Sequence, residues 1–163
     1  MSSLRPGKLP LAVALVVALV VRLLIAVEPM CITGDGVTYV QLARQIAAGG
    51  AWFHSIFPPG FSLVIAGLHW LLGGSFENLA RYISAVAGTL VLIPAWLLWR
   101  EKLGIGAAGF ACTLMAVWPI SAQLSGQVLT EALSLLGLFA GLYAWSRSGW
   151  RHHLGWAWSA GAG

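Results

Sequence analysis

The sequence predicts an all-α fold, a polytopic bundle of membrane helices with about four to five spans. Hydrophobic residues make up 59% of the 163 residues, and charged residues make up only 9%. The mean hydropathy is +0.84. An ordinary soluble globular domain does not have this composition, and several apolar runs of bilayer length follow one another along the chain.

The first apolar run, Leu9 to Val27, is long enough to cross a bilayer. Its roughly 19 residues make a helix of about 28 Å. The run is longer than the apolar core of a secretory signal and lacks a small-residue cleavage site. We therefore interpret it as a retained first helix.

Further spans are predicted at residues 79–99, 103–120 and 129–145, and another begins at residue 154. This last run stops after some ten residues, too few to cross a bilayer. We therefore expect residues 1–163 to be the N-terminal part of a longer transmembrane domain.

Between the first two spans lies a polar loop, residues 28–78, with two predicted surface helices. Residues 36–48 alternate apolar and polar residues at helical spacing and end at Gly49 and Gly50. Residues 60–72 are apolar but too short for a span, which suits an interfacial or re-entrant helix.

The cations indicate the topology. If residues 60–72 do not cross the membrane, Arg44 and Arg81 lie on the far side and Arg22 lies inside the first helix. The remaining cations all share the side of the N-terminus: Arg5, Lys8, Arg100, Lys102, Arg147 and Arg151. The positive-inside rule then predicts a cytoplasmic N-terminus and an outer loop 28–78. The net charge of +4 reflects topology, and nucleic-acid binding is not indicated.

Two carboxylates lie at predicted helix starts on the outer side, Asp35 and Glu131. Either can be an ordinary helix-terminal acid, Asp35 as the N-cap and Glu131 in a first turn capped by Thr130 or Ser125. Either can also take part in catalysis or binding. A carboxylate at a membrane boundary is unfavourable in free energy, so a residue of this kind is a candidate for a functional role. Arg22 is predicted to extend outward to the interface, with pairing to an acid or a phosphate as the alternative.

The other polar groups give weaker signals. His54 stands beside aromatic residues and favours a packed role, and no His or Cys spacing matches a metal site. The two cysteines, in a loop and in a span, predict neither a disulfide framework nor redox chemistry. Most of the nine tryptophans lie near predicted span ends, as interfacial anchors do.

Four segments, taken in order, resemble a known family. They are "GDGVTYVQLARQIAAGG", "FPPGFSLVIAGLHWLLGG", "NLARYISAVAGTLVLIPAWLLWREKLG" and "AAGFACTLMAVWPISAQLSGQVLTEALSLLGLFAGLYAW". Together they resemble the N-terminal part of a GT-C superfamily membrane glycosyltransferase. The branch is the one with dolichyl-phosphate-mannose protein mannosyltransferases and bacterial aminoarabinose transferases.

The resemblance implies transfer of a hexosyl or pentosyl group from a polyprenyl-phosphate-linked sugar to a hydroxyl of a lipid, glycan or protein acceptor. The reaction would take place on the outer face of a bacterial inner (cell) membrane. Asp35 would be the catalytic base. The residues implied for the donor or acceptor pocket are Glu131, Tyr39, Arg44, His54, Pro58, Pro59 and Arg81.

The resemblance leaves the cofactor open. Relatives that use a divalent cation make Asp35 a candidate metal ligand, but many relatives have a second acid where this chain has Gly36. No metal site is therefore assigned, and no other cofactor is implied. We expect the chain alone to be inactive, because relatives supply phosphate-neutralising groups from later helices.

Two non-enzymatic functions remain as alternatives. A transporter would use Asp35 and Glu131 along an ion or substrate path, and a polyprenyl-lipid-binding subunit would bind the donor lipid without transferring sugar. A transporter predicts an inverted repeat, and these residues contain none.

Overall fold

The computed structural model describes residues 9–28, 32–128 and 130–148. Within these ranges the chain forms seven helices and no strand, which confirms the all-α prediction. The predicted start of a span at residue 154 lies outside the described residues. The helices are α1 Leu9–Val27, α2 Gly34–Ala47, α3 Gly60–Leu72, α4 Phe76–Leu90, α5 Leu92–Val117, α6 Pro119–Gly126 and α7 Glu131–Arg147.

Helix α4 continues into α5 without a loop. The Val91 amide donates to the Ala87 carbonyl at 3.0 Å, and the Ala95 amide donates to the Val91 carbonyl at 3.2 Å. Pro94 has no amide hydrogen, so one bond of the helical ladder is absent there while the backbone stays helical. The two helices therefore form one rod as far as Gly104.

At Gly104 the chain of α5 turns back. The backbone there has φ +84°, a conformation that favours glycine. Cys112 Sγ lies 3.8 Å from the Leu92 carbonyl oxygen, whereas 20 residues of straight helix would separate them by about 30 Å. Residues 76–117 are therefore a helical hairpin.

The position of this turn differs from the prediction of a break at residues 100–102. Arg100, Glu101 and Lys102 remain helical, and the Arg100 guanidinium stacks over Trp96 at 4.4 Å. Long charged side chains are compatible with helical backbone, so charge alone does not end a helix. Glycine, with its access to positive φ, decides where the turn occurs.

By length and composition, α1 and the run Phe76–Val117 are apolar enough to cross a membrane, and α6 with α7 adds a third if that bent pair is one span. The chain is an integral membrane protein. Because the run Phe76–Val117 folds back at Gly104, it supplies two antiparallel passes through the bundle.

Helix α1 packs against α4, α5 and α6 through small side chains. Ala14 and Ala18 of α1 meet Ala108, Cys112 and Ala116 of α5 in one buried cluster. Small residues let helix backbones approach closely, which drives helix association where lipid removes the usual hydrophobic driving force. A second cluster joins α2, α3 and α4 around Tyr39, Ile65 and Ala80.

Gly88 gives a direct test of this close packing. A methyl group there would lie 2.2 Å from Ser125 Oγ and 2.5 Å from Ser125 Cβ, so α4 and α6 must separate to admit it. We expect Gly88→Ala to destabilise the protein by roughly 1–3 kcal/mol, measured as a lower thermal unfolding midpoint in detergent.

Gly137 is the matched control. It lies inside α7, and an added Cβ meets nothing within 4 Å. Gly137→Ala should leave the midpoint unchanged or raise it slightly, because alanine is the better helix former. Equal midpoints for Gly88→Ala and Gly137→Ala would contradict the assigned contact between α4 and α6.

Candidate functional site

A groove of ≈ 460 Å³ opens between α5, α6 and α7. Its walls are mostly apolar and include three aromatic rings. Its polar side chains are Ser121 and Ser125 of α6 and Glu131 of α7. The lining residues are Trp99, Leu114, Met115, Trp118, Ile120, Ser121, Leu124, Ser125, Glu131, Ala132, Leu135 and Phe139.

Glu131 is the only predicted site residue among those lining this groove. It is exposed in the first turn of α7, where the helix dipole favours a negative charge. Thr130 occupies the N-cap position of this helix, as predicted for one of the two alternatives, and Ser125 does not. Thr130 makes no side-chain cap bond, and Ser125 Oγ instead donates to the Ser121 carbonyl of its own helix at 2.7 Å.

Asp35 lies in the first turn of α2, and the prediction that it caps this helix is wrong. The N-cap is Thr33, whose Oγ1 accepts from the Gly36 amide at 3.3 Å. Thr33 already satisfies this orphan amide, so the Asp35 carboxylate is not used for capping. Asp35 is exposed, and its carboxylate has no hydrogen-bond or ion-pair partner among the described residues.

The starts of α2 and α7 lie at the same end of the bundle. A Cβ added at Gly36 would lie 2.8 Å from the Val128 carbonyl oxygen, so the first turn of α2 rests on the segment that leads into α7. At the other end of α7, Arg147 Nη1 lies 3.4 Å from Glu101 Oε1, close to the Gly104 turn. Asp35 and Glu131 therefore share one end, and Glu101 and Arg147 share the other.

Two of the predicted pocket residues have packing or pairing partners outside the groove. Tyr39 is buried, and its ring meets the edges of Phe57 and Phe61 at centroid distances of 5.1 and 5.6 Å. Arg44 forms an ion pair with Glu77 and lies over the Phe76 ring. Both residues join α2 to its neighbours.

The remaining predicted pocket residues shape the loop before α3 and the start of α4. His54 Nδ1 accepts from the amides of Ile56 and Phe57, each at 3.2 Å. Pro58 precedes Pro59, which is the N-cap of α3. Arg81 Nη1 donates to the Glu28 carbonyl at 3.0 Å.

The sequence predicted that Arg22 extends outward to the interface, and this prediction is wrong. Its side chain is fully buried. Nη1 donates to the carbonyls of Ala18 at 3.3 Å and Ala116 at 3.1 Å, and Nη2 donates to the Met115 carbonyl at 3.5 Å and to Ser121 Oγ at 3.0 Å. These four acceptors replace the water that an extended side chain would reach.

Arg22 is a functional candidate whose buried position the sequence did not predict. The guanidinium satisfies carbonyls in the last turn of α5, where four carbonyls lack partners within the helix. It also contacts Ser121, which lines the groove. The signal in the sequence was a single arginine inside an otherwise apolar run.

A metal site is not apparent in residues 9–28, 32–128 and 130–148, because no three His, Cys, Asp or Glu side chains come together there. Asp35 and Glu131 stay candidates for holding a cation, and a divalent cation stays a prediction. The site carries no assigned cofactor.

Comparison with known proteins gives one match. No curated protein and no solved structure matches the chain. The family model described as dolichyl-phosphate-mannose-protein mannosyltransferase matches residues 57–163, a stretch that includes α3 to α7 and the whole groove. Asp35 precedes the matched stretch. With the matched residues making up well over half of its length, the chain belongs to the dolichyl-phosphate-mannose-protein mannosyltransferase family.

Proposed function

We propose that this membrane glycosyltransferase moves a sugar from a polyprenyl-phosphate donor to a hydroxyl acceptor, and that the donor binds in the groove between α5, α6 and α7. The shape and chemistry of this groove carry the proposal. Most of its wall is apolar, with Leu114, Leu135 and Phe139 among the lining residues, and its polar groups come from α6 and the start of α7.

A polyprenyl-phosphate sugar likewise has an apolar part and a polar part. Its prenyl chain gains roughly 0.8 kcal/mol for each CH₂ group that leaves water, and its sugar and phosphate need polar partners. The apolar wall suits the chain, and Ser121 and Glu131 suit the head group. A nucleotide sugar offers no apolar portion for this wall.

Asp35 is proposed as the catalytic base. The acceptor hydroxyl oxygen attacks the anomeric carbon and its proton passes to the Asp35 carboxylate. The bond from the anomeric carbon to the phosphate oxygen breaks, and polyprenyl phosphate leaves with the electron pair. This role is supported by the exposure of Asp35 and by its lack of a partner among the described residues.

The reacting end of the bundle is proposed to face the outer side of the membrane, with the N-terminus in the cytoplasm. The charge distribution supports this orientation, since Arg100 and Lys102 lie near the Gly104 turn and Arg147 pairs with Glu101 there. Asp35 and Glu131 lie at the opposite end.

The experiment is a transfer assay with the full-length protein in liposomes. We expect a labelled sugar to move from polyprenyl phosphate to an added hydroxyl acceptor, and we expect no transfer from the matching nucleotide sugar. Transfer from the nucleotide sugar alone would overturn the donor assignment. Binding or transport of the lipid without bond cleavage would instead support a non-enzymatic function.

Glu131 tests whether the groove takes part in the reaction. We expect Glu131→Gln to lower kcat/KM about tenfold or more, because the carboxylate supplies a charge-assisted hydrogen bond in a mostly apolar surrounding. Transfer from the polyprenyl-phosphate donor is the measurement.

Glu101 provides the matched control, as it pairs with Arg147 at the other end of the bundle. Glu101→Gln should change kcat/KM by less than about twofold, because exposed ion pairs contribute little. If the Glu131 and Glu101 variants are equally active, the groove is not the donor site.

A further inference from the structure

We propose that the Ser121 hydroxyl donates a hydrogen bond to a phosphate oxygen of the donor in the groove, and that the buried Arg22 holds this hydroxyl in place. The inference rests on the proposed function. It assigns a binding residue, Ser121, and a positioning residue, Arg22, for the phosphate.

The hydrogen bonds of Ser121 are the first observation. Its Oγ accepts from Arg22 Nη2 at 3.0 Å, which occupies a lone pair on the oxygen. Its own hydroxyl proton has no acceptor among the described residues. Since Ser121 lines the groove, a ligand there can receive that proton.

Neighbouring hydroxyl groups behave differently. Thr89, Thr113 and Ser125 each donate to the carbonyl four residues before them, at 2.9, 2.9 and 2.7 Å. Such a bond to the helix backbone is the usual arrangement of a helical hydroxyl in an apolar setting. Ser125 also lines the groove, yet its proton is already used. Ser121 is therefore the groove hydroxyl with a proton to offer.

The charge of Arg22 favours an anionic acceptor. The acceptors of this guanidinium in the described residues are three carbonyls and one hydroxyl, so no described carboxylate neutralises it. A cation that donates to a hydroxyl oxygen polarises the hydroxyl and strengthens its own donor capacity. Ser121 also lies in the first turn of α6, where the helix dipole adds a positive field.

The position of the hydroxyl follows from the geometry of the guanidinium. Nη1 is held between the carbonyls of Ala18 on α1 and Ala116 on α5. The planar group therefore cannot rotate without losing both bonds, and Nη2 stays directed at Ser121. Arg22 is fully buried and is not among the residues that line the groove.

The experiment measures equilibrium binding of labelled polyprenyl phosphate, without sugar, to the full-length protein in nanodiscs. We expect Ser121→Ala to weaken this binding about tenfold, the loss of one charge-assisted hydrogen bond. Ser125→Ala, the matched control, should change binding by less than about twofold. Ser121→Thr, which keeps the hydroxyl, should bind nearly as wild type.

Two further measurements separate phosphate recognition from general damage. Polyprenol, which lacks the phosphate, is expected to bind equally to wild type and Ser121→Ala. Arg22→Lys is expected to weaken polyprenyl phosphate binding, because an ammonium group cannot span the same four acceptors. In the transfer assay, Ser121→Ala should raise KM for the donor with little change in kcat.

The outcomes distinguish this inference from the proposed function. Wild-type affinity of Ser121→Ala for polyprenyl phosphate would overturn the inference and leave the transfer reaction intact. A wild-type protein that transfers sugar only from a nucleotide sugar would overturn both. Equal losses in the Ser121→Ala and Ser125→Ala variants would also overturn it, because Ser125 has no proton to give.

Discussion

Asp35→Asn is expected to lower kcat for sugar transfer by about 10²-fold or more. Asparagine keeps the size of the side chain but cannot take up the acceptor proton, and proton transfer by a positioned base contributes about 10² to 10⁴ in rate. The stability of α2 should not change, since Thr33 and not Asp35 is its N-cap. The measurement is the initial rate with saturating polyprenyl-phosphate donor and acceptor.

Glu28→Gln is the matched control for this prediction. Glu28 is an exposed acid that follows α1, and it contacts Arg81 through its backbone carbonyl, which the substitution retains. Its rate should stay within about twofold of wild type. A fully active Asp35→Asn protein would exclude Asp35 as the base and leave Glu131 as the carboxylate to test.

Arg22→Met is expected to give the largest loss of stability, roughly 3 kcal/mol or more. Methionine fills much of the space but donates no hydrogen bond, so the carbonyls of Met115 and Ala116 and the Ser121 hydroxyl oxygen lose a charged donor. Hydrogen bonds to a charged group contribute about 1.5–3 kcal/mol each, and several are lost together. The thermal unfolding midpoint in detergent measures the effect.

Arg147→Met is the control for the loss of a positive charge. Arg147 is 65% exposed and pairs with Glu101 at 3.4 Å, and exposed ion pairs contribute about 0–1 kcal/mol. Its midpoint should stay close to that of wild type. If both arginine variants unfold at the wild-type temperature, the hydrogen bonds of Arg22 do not hold α1, α5 and α6 together.

Arg22 shows where prediction from the sequence stops. The guanidinium of one arginine in an apolar run can be satisfied in two ways. The side chain extends to the interface, or it donates to acceptors inside the bundle. The choice depends on the end of α5, which is about 90 residues away in the chain, since Arg22 and Ala116 are separated by 94 positions. Periodicity and local charge carry no information about such a partner.

The N-cap of α2 is a second feature that the sequence did not decide, here between two residues close together in the chain. The sequence placed an acid at the start of a surface helix, and both Thr33 and Asp35 are residue types that cap helices. Backbone geometry selects Thr33, which has the extended conformation of an N-cap residue at φ −65° and ψ 160°. Asp35 then falls inside the first turn, and its carboxylate remains for other partners.

The sequence by itself determined the helical membrane class, the family and the residue types that bear charge. These follow from composition and from apolar runs, because a bilayer demands backbone hydrogen bonds that each segment makes within itself. The tertiary structure alone decided that Arg22 lies against Ser121, that α5 turns at Gly104, and that the groove has Glu131 in its wall. Those features depend on which helices pack together, and packing partners are set by contacts between residues far apart in the chain.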